Sequence, residues 1–172
     1  MALNKTTLQS DLKTWMQTPR SSQLQAGQDL ETLYHNYVLG AVDISGDSVN
    51  TVITDSIVNA IIRLTLLETY TTSAQKIAEG FTAYWTGATF QLLYPPAGTI
   101  APEISAVVTT PPVASIFASS LISIFSNLNI DTNTRASQLA TAIDTMTKSV
   151  IVTCIGTLAN PPYSLAVTGP IS

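Results

Sequence analysis

The sequence predicts a mainly α-helical protein with a small β element at its end, and three observations predict it. Apolar residues recur at helical spacing over most of the chain. Two late runs, Val150 to Ile155 and Ser164 to Thr168, are instead short, apolar and rich in β-branched residues, which suits strands. Proline and glycine fall between the periodic stretches rather than inside them. At 172 residues and 18.3 kDa the chain fits one domain, 1–172.

Taken in order, the first helix runs from about Thr7 to Gln17, with Leu8, Leu12, Trp15 and Met16 on one face. Thr18-Pro19 ends it, because the residue before proline is pushed out of the helical region. A second helix follows over Gln28 to Gly40, with Leu30, Leu33, Tyr34, Tyr37 and Val38 as its stripe. These two make an N-terminal unit, 1–46. Asp47 or Ser48 is the expected cap of a third helix, in which Val49, Val52, Ile53, Ile57, Ala60, Ile61 and Leu64 draw a wide apolar face. A fourth helix carries Ala74, Ile77, Ala78, Phe81 and Tyr84-Trp85 to a stop at Gly87, and Phe90 to Tyr94 reads as a short extended piece. Together these form the unit 47–94.

Pro95 to Pro112 holds five prolines and one charge, and reads as a connector lying along a protein surface. Pro111 then opens the next helix at the tolerated first turn. That helix carries Val113, Ile116, Phe117, Leu121, Ile124, Phe125 and Leu128. Each lies 64 positions after an apolar residue of the third helix. At an offset of 62, Thr72-Ser-Ala74-Gln-Lys-Ile77-Ala78 falls on Thr134-Arg-Ala136-Ser-Gln-Leu139-Ala140. The expectation is an internal repeat of two helix–loop–helix units, the second within 113–172, each closing the other's apolar face. Asn160-Pro161-Pro162-Tyr163 supplies turn chemistry between the two terminal strands, in a hairpin loop of several residues.

Composition narrows the function classes. Only 10% of residues are charged, against about 25% in a typical soluble domain, and the polar surface falls to 25 Thr and 17 Ser. Seven Lys and Arg against eleven Asp and Glu leave no basic face for sequence-specific nucleic-acid binding. One Cys excludes an internal disulfide, and one His excludes a multi-histidine metal site. No cofactor or metal is expected. Met1-Ala-Leu-Asn-Lys-Thr-Thr7 has no apolar signal core, and no run reaches about 18 apolar residues, so no membrane span is expected.

The chemistry-bearing residues have ordinary explanations. Ser73-Ala-Gln-Lys76 has the spacing of serine–lysine acyl-transfer enzymes but lacks their companion motifs, so Ser73 reads as a helix-start residue. Asp43-Ile-Ser-Gly-Asp47-Ser48 has a calcium-loop look, but the twelfth position is Thr54 where a glutamate is needed; a turn with a helix cap is the reading. His35 lacks the context of a general base, and Cys154 reads as a small buried apolar residue. No catalytic residue is assigned, and an enzyme is not expected.

At Phe81-Thr-Ala-Tyr-Trp-Thr-Gly87, and again at Thr134 to Ser149 with the following Val-Ile-Val-Thr strand and the Gly-Pro-Ile-Ser end, the chain resembles small virion structural proteins of tailed bacteriophages. The resemblance implies a non-enzymatic subunit of neck, tail or capsid, located in the virion after assembly in the host cytoplasm. Its partners would be copies of itself and other virion proteins. The contact candidates are Tyr84, Trp85, Tyr94, Pro95, Pro96, Val167 and Thr168, because aromatic anchors and extended backbone are what neighbours engage. The alternative is a small-ligand-binding or adaptor module, with a pocket between the two helical repeats lined by Trp85 and neighbouring aromatics.

Overall fold

Most helices of this chain begin where a short polar side chain can take their free amides. In the computed structural model, which describes residues 3–43, 47–91, 103–159 and 162–172, α1 (Lys5–Gln17) starts behind Asn4, whose side chain accepts from the Thr7 amide at 3.1 Å. Ser22 caps α2 (Gln23–Val38) in the same way, and Thr69 caps α4 (Tyr70–Trp85). Asp131 caps α6 (Thr132–Lys148), accepting from the Asn133 and Thr134 amides. Two helices have no such local cap: α3 (Ser56–Ile62) and α5 (Ala114–Ser126).

Five described strands follow one another across a single antiparallel sheet: β1 (Val49–Thr51), β2 (Thr89–Phe90), β3 (Glu103–Thr110), β4 (Ile151–Ala159) and β5 (Pro162–Pro170). The protein is mainly helical with an antiparallel strand pair at its C-terminal end, as the sequence predicts, but that pair is the end of a larger sheet that β1, β2 and β3 extend. Alternation fixes the faces. Ala106, Val108, Val152 and Cys154 point into the core that the helices share. Opposite them lies a row of threonines: Thr51 bonds Thr89 at 2.6 Å, Thr109 bonds Thr153 at 3.0 Å, and Thr153 bonds Thr168 at 3.1 Å. Five of the chain's threonines are accounted for by this outer face.

Three expectations need correction. The third helix does not start at Val49 under an Asp47 or Ser48 cap. Val49–Thr51 is strand β1, paired with β2, and the helix begins seven residues later at Ser56. The β-branched run Val49-Asn-Thr-Val-Ile-Thr fits either period, and a strand partner at Thr89–Phe90 decides it. Pro95–Pro112 is not a connector throughout. Glu103–Thr110 is strand β3, between β2 and β4, while Pro111 and Pro112 follow it where no ladder amide is needed. The last hairpin is tighter than expected: Ala159 pairs with Pro162, so Pro162 and Tyr163 belong to β5.

The two α-hairpins agree where the offset of 62 applies. Ala74, Ala78 and Phe81 are buried on α4, and Ala136, Ala140 and Ile143 are buried on α6. They diverge before that. α3 has 7 residues and α5 has 13, and Ile53 is exposed where Phe117 is buried.

α3 is clamped tightly between neighbours. A Cβ added to Gly80 of α4 would lie 2.6 Å from Ala60 Cβ and 3.0 Å from the Ser56 carbonyl. Gly80→Ala is therefore expected to destabilise the fold by about 1–3 kcal/mol, although alanine is the better helix former by about 1 kcal/mol. Urea denaturation checks it; a stabilised variant would contradict the close crossing.

Candidate functional site

α2 ties the molecule together through a buried polar spine. Tyr34 is fully buried, and its hydroxyl accepts from the Trp85 indole N–H at 2.7 Å and bonds the Thr147 hydroxyl at 2.9 Å. One residue on, His35 Nδ1 lies 2.6 Å from the Tyr84 hydroxyl. Tyr37 donates to Asp144 Oδ1 at 2.6 Å, and Lys148 donates to Asp144 Oδ2 at 3.0 Å. The spine pins α2 to α4 and α6. Burial pushes all three tyrosine hydroxyls far above their ordinary value. The Thr147 and Trp85 bonds oppose this at Tyr34. The bond to Asp144 and its charge add to it at Tyr37, and the Tyr34 and Glu31 charges add to it at Tyr84.

This removes Tyr84 and Trp85 from the contact candidates. Both are 0% exposed, edge-on to each other, and hydrogen-bonded inside the core. Their spacing on α4 is equally that of a core stripe, and the Tyr34 and His35 partners decide for the core. Tyr94, Pro95 and Pro96 lie outside the described residues. Val167 stands opposite Cys154 in β5, and the exposed Thr168 stands opposite Thr153.

Two of the ordinary readings need correction, since Ser73 lies inside α4 rather than at its start and no helix follows Asp47 or Ser48 to be capped. The Lys76 amine is held by the Glu68 carboxylate and the Arg63 carbonyl, so it is not aimed at Ser73, and Thr69 rather than Ser73 opens the helix. Asp43 accepts from the Asp47 amide at 3.0 Å, and the Cys154 thiol donates to Asp43 Oδ2 at 3.2 Å. Ser172 exchanges two backbone hydrogen bonds with Val42 beside them. Among the described residues no group of three His, Cys, Asp or Glu could hold a metal, and no helix is long and apolar enough to cross a membrane.

Two surface features were not anticipated from the sequence. Leu66 and Leu67, between α3 and α4, are 102% and 96% exposed, with the half-exposed Tyr70 beside them in sequence. Around α5, Val113, Ile116 and Leu128 are also exposed. Both sets lie in or next to stretches that were read as core-facing periodicity.

The cavity, about 400 Å³, lies between the two α-hairpins. Its floor is apolar and buried, built from Leu30 of α2, Ile61 of α3, Phe81 of α4, Phe117 and Leu121 of α5, and Leu139 and Ile143 of α6. Half-buried Trp15, Met16, Ile77 and Phe125 form the rim with Thr132 and Arg135. A pocket between the hairpins was the alternative expectation, but its tryptophan is Trp15 and not Trp85. Trp15 is held by its N–H on the Ala26 carbonyl at 3.1 Å and by the Arg20 guanidinium 5.2 Å from its ring.

The chain matches no protein-family model, no curated protein and no solved structure.

Proposed function

We propose that the chain is a non-enzymatic structural subunit of a multi-copy assembly, a component of a tailed-bacteriophage virion at neck, tail or capsid. The observation that carries this reading is the edge strand β5. It is nine residues long, pairs with β4 on one side, and has no strand on its other side among the described residues. Monomeric proteins blunt such edges with charged side chains, bulges or very short strands. β5, Pro162-Tyr-Ser-Leu-Ala-Val-Thr-Gly-Pro170, contains no charged residue, and its prolines sit only at its ends. The fully exposed Leu66 and Leu67 add apolar surface of the kind that contacts bury. The two α-hairpins are retained in this reading as copies of one ancestral unit, supported by the matching buried positions of α4 and α6.

Charge on the edge tests the proposal. Thr168→Lys, which leaves the core untouched, is expected to weaken self-association or capture by virion proteins at least about tenfold, roughly 1.4 kcal/mol. Leu66→Asp with Leu67→Asp is expected to weaken it independently. Sedimentation velocity reads both; unchanged assembly in all variants would remove the edge and the leucines from the interface.

A second reading, a small-ligand-binding module, is favoured by one observation, the apolar cavity between the hairpins.

A further inference from the structure

We infer that the cavity between the α-hairpins is a binding site for a small anionic amphiphile, a medium-chain carboxylate, with Arg135 taking the head group. The inference deepens the second reading and rests on it. The cavity's volume, about 400 Å³, lies within the roughly 300–1,000 Å³ range of small-molecule sites. Its floor is wholly hydrocarbon and aromatic, from Leu30 to Ile143, so the body of an occupant must be apolar. Polarity is confined to the rim, where Arg135 is the only charged lining residue.

The guanidinium is incompletely used. Its Nη2 donates to the Asn127 carbonyl at 3.0 Å, while the buried Nε has no hydrogen-bond partner. Among the described residues no carboxylate forms an ion pair with it, and the nearby Asp131 is committed to the α6 amides and the Thr134 hydroxyl. The buried Nε is closed to an occupant, but Nη1 makes no hydrogen bond among the described residues and stays accessible, so the fork can still take an acceptor from the cavity, and a carboxylate is the partner that matches it. A neutral alcohol would satisfy it less well, and a cationic amphiphile would be repelled. A free amphiphile suits the site better than a protein segment, because the floor is closed by five helices.

The test uses the full-length protein with dodecanoate, dodecanol and dodecyltrimethylammonium below their aggregation concentrations, read by calorimetry and by Trp15 emission. Dodecanoate is expected to bind. Arg135→Gln is expected to weaken it at least about tenfold, the worth of a charge-assisted hydrogen bond, without changing dodecanol binding. Ile77→Trp, which fills the rim, is expected to abolish both. Equal binding of dodecanoate and dodecanol, unmoved by Arg135→Gln, would overturn the anionic assignment and leave an apolar site. If no probe binds, or if Ile77→Trp leaves binding unchanged, the cavity reading itself falls.

Discussion

Replacing Glu31 with alanine is expected to lower the folding stability by about 3 kcal/mol or more, the largest effect we expect of any single polar substitution tested. Glu31 sits on α2, yet its carboxylate does the work of a helix cap for α3. It accepts from the amides of Asp55 at 2.5 Å, Ile57 at 2.9 Å and Val58 at 3.1 Å. Asp55 cannot serve as the cap, because it is held at φ 62 and its side chain makes no capping bond. A residue with a side chain in that left-handed region costs of order 1 kcal/mol, so something outside α3 must hold the turn. Removing the carboxylate strands three amides, two of them on buried residues, and releases the strained turn. Glu31→Gln keeps one acceptor oxygen and is expected to lose roughly half as much. Urea denaturation checks both variants, and hydrogen exchange at the Ile57 and Val58 amides should quicken in each. A Glu31→Ala protein within about 0.5 kcal/mol of the parent would contradict the capping role.

Alkaline unfolding well before the buried tyrosines could ionise in place is the second large effect. Tyr34, Tyr37 and Tyr84 all hold their protons far more tightly folded than unfolded. A group whose folded value is raised gives stability that is present in full below its unfolded value, about 10 for tyrosine, and lost as pH rises above it. Three such groups lose up to about 4 kcal/mol per pH unit, because each contributes about 1.4. A domain of ordinary stability has about 5–15 kcal/mol in all. Tyrosinate absorbance and the loss of helical circular dichroism should therefore rise together in one cooperative step. Tyr37→Phe should make the slope shallower by about one third. Tyrosine ionisation completed while the helices stay intact would contradict the buried spine.

The elements legible in the sequence are those whose period has a single interpretation. Ala74, Ala78, Phe81 and Ala136, Ala140, Ile143 repeat at helical spacing with good helix formers between them, and α4 and α6 are where they should be. Val150 to Ile155 is short and β-branched between turn signals, and β4 follows. Val49 to Ile53 misleads because β-branched residues satisfy a helical stripe and a strand equally. Only the tertiary partner, β2, separates the two. β3 was hidden by the prolines around it, although Ala106 and Val108 alternate with Val107 and Thr109 as a strand should.

The candidate sites were less legible for a related reason. A stripe that packs in the core and a stripe that packs on a neighbour have the same spacing. Tyr84 and Trp85 therefore read as anchors until Tyr34 and His35 were seen to hold them inside. Leu66 and Leu67 follow the apolar stripe of the third helix in sequence and have no signal of their own; their exposure shows only once the helix ends at Ile62. Arg135 carried no motif. What singles it out is three-dimensional: a guanidinium nitrogen without a partner beside an apolar cavity.

Assembly is the central claim, and sedimentation velocity on the full-length protein, from micromolar to near-millimolar concentration, tests it most directly. A discrete species larger than the monomer is expected, growing with concentration and reduced by Thr168→Lys. A protein that stays monomeric throughout the series, and that captures no virion protein through β5, would contradict it.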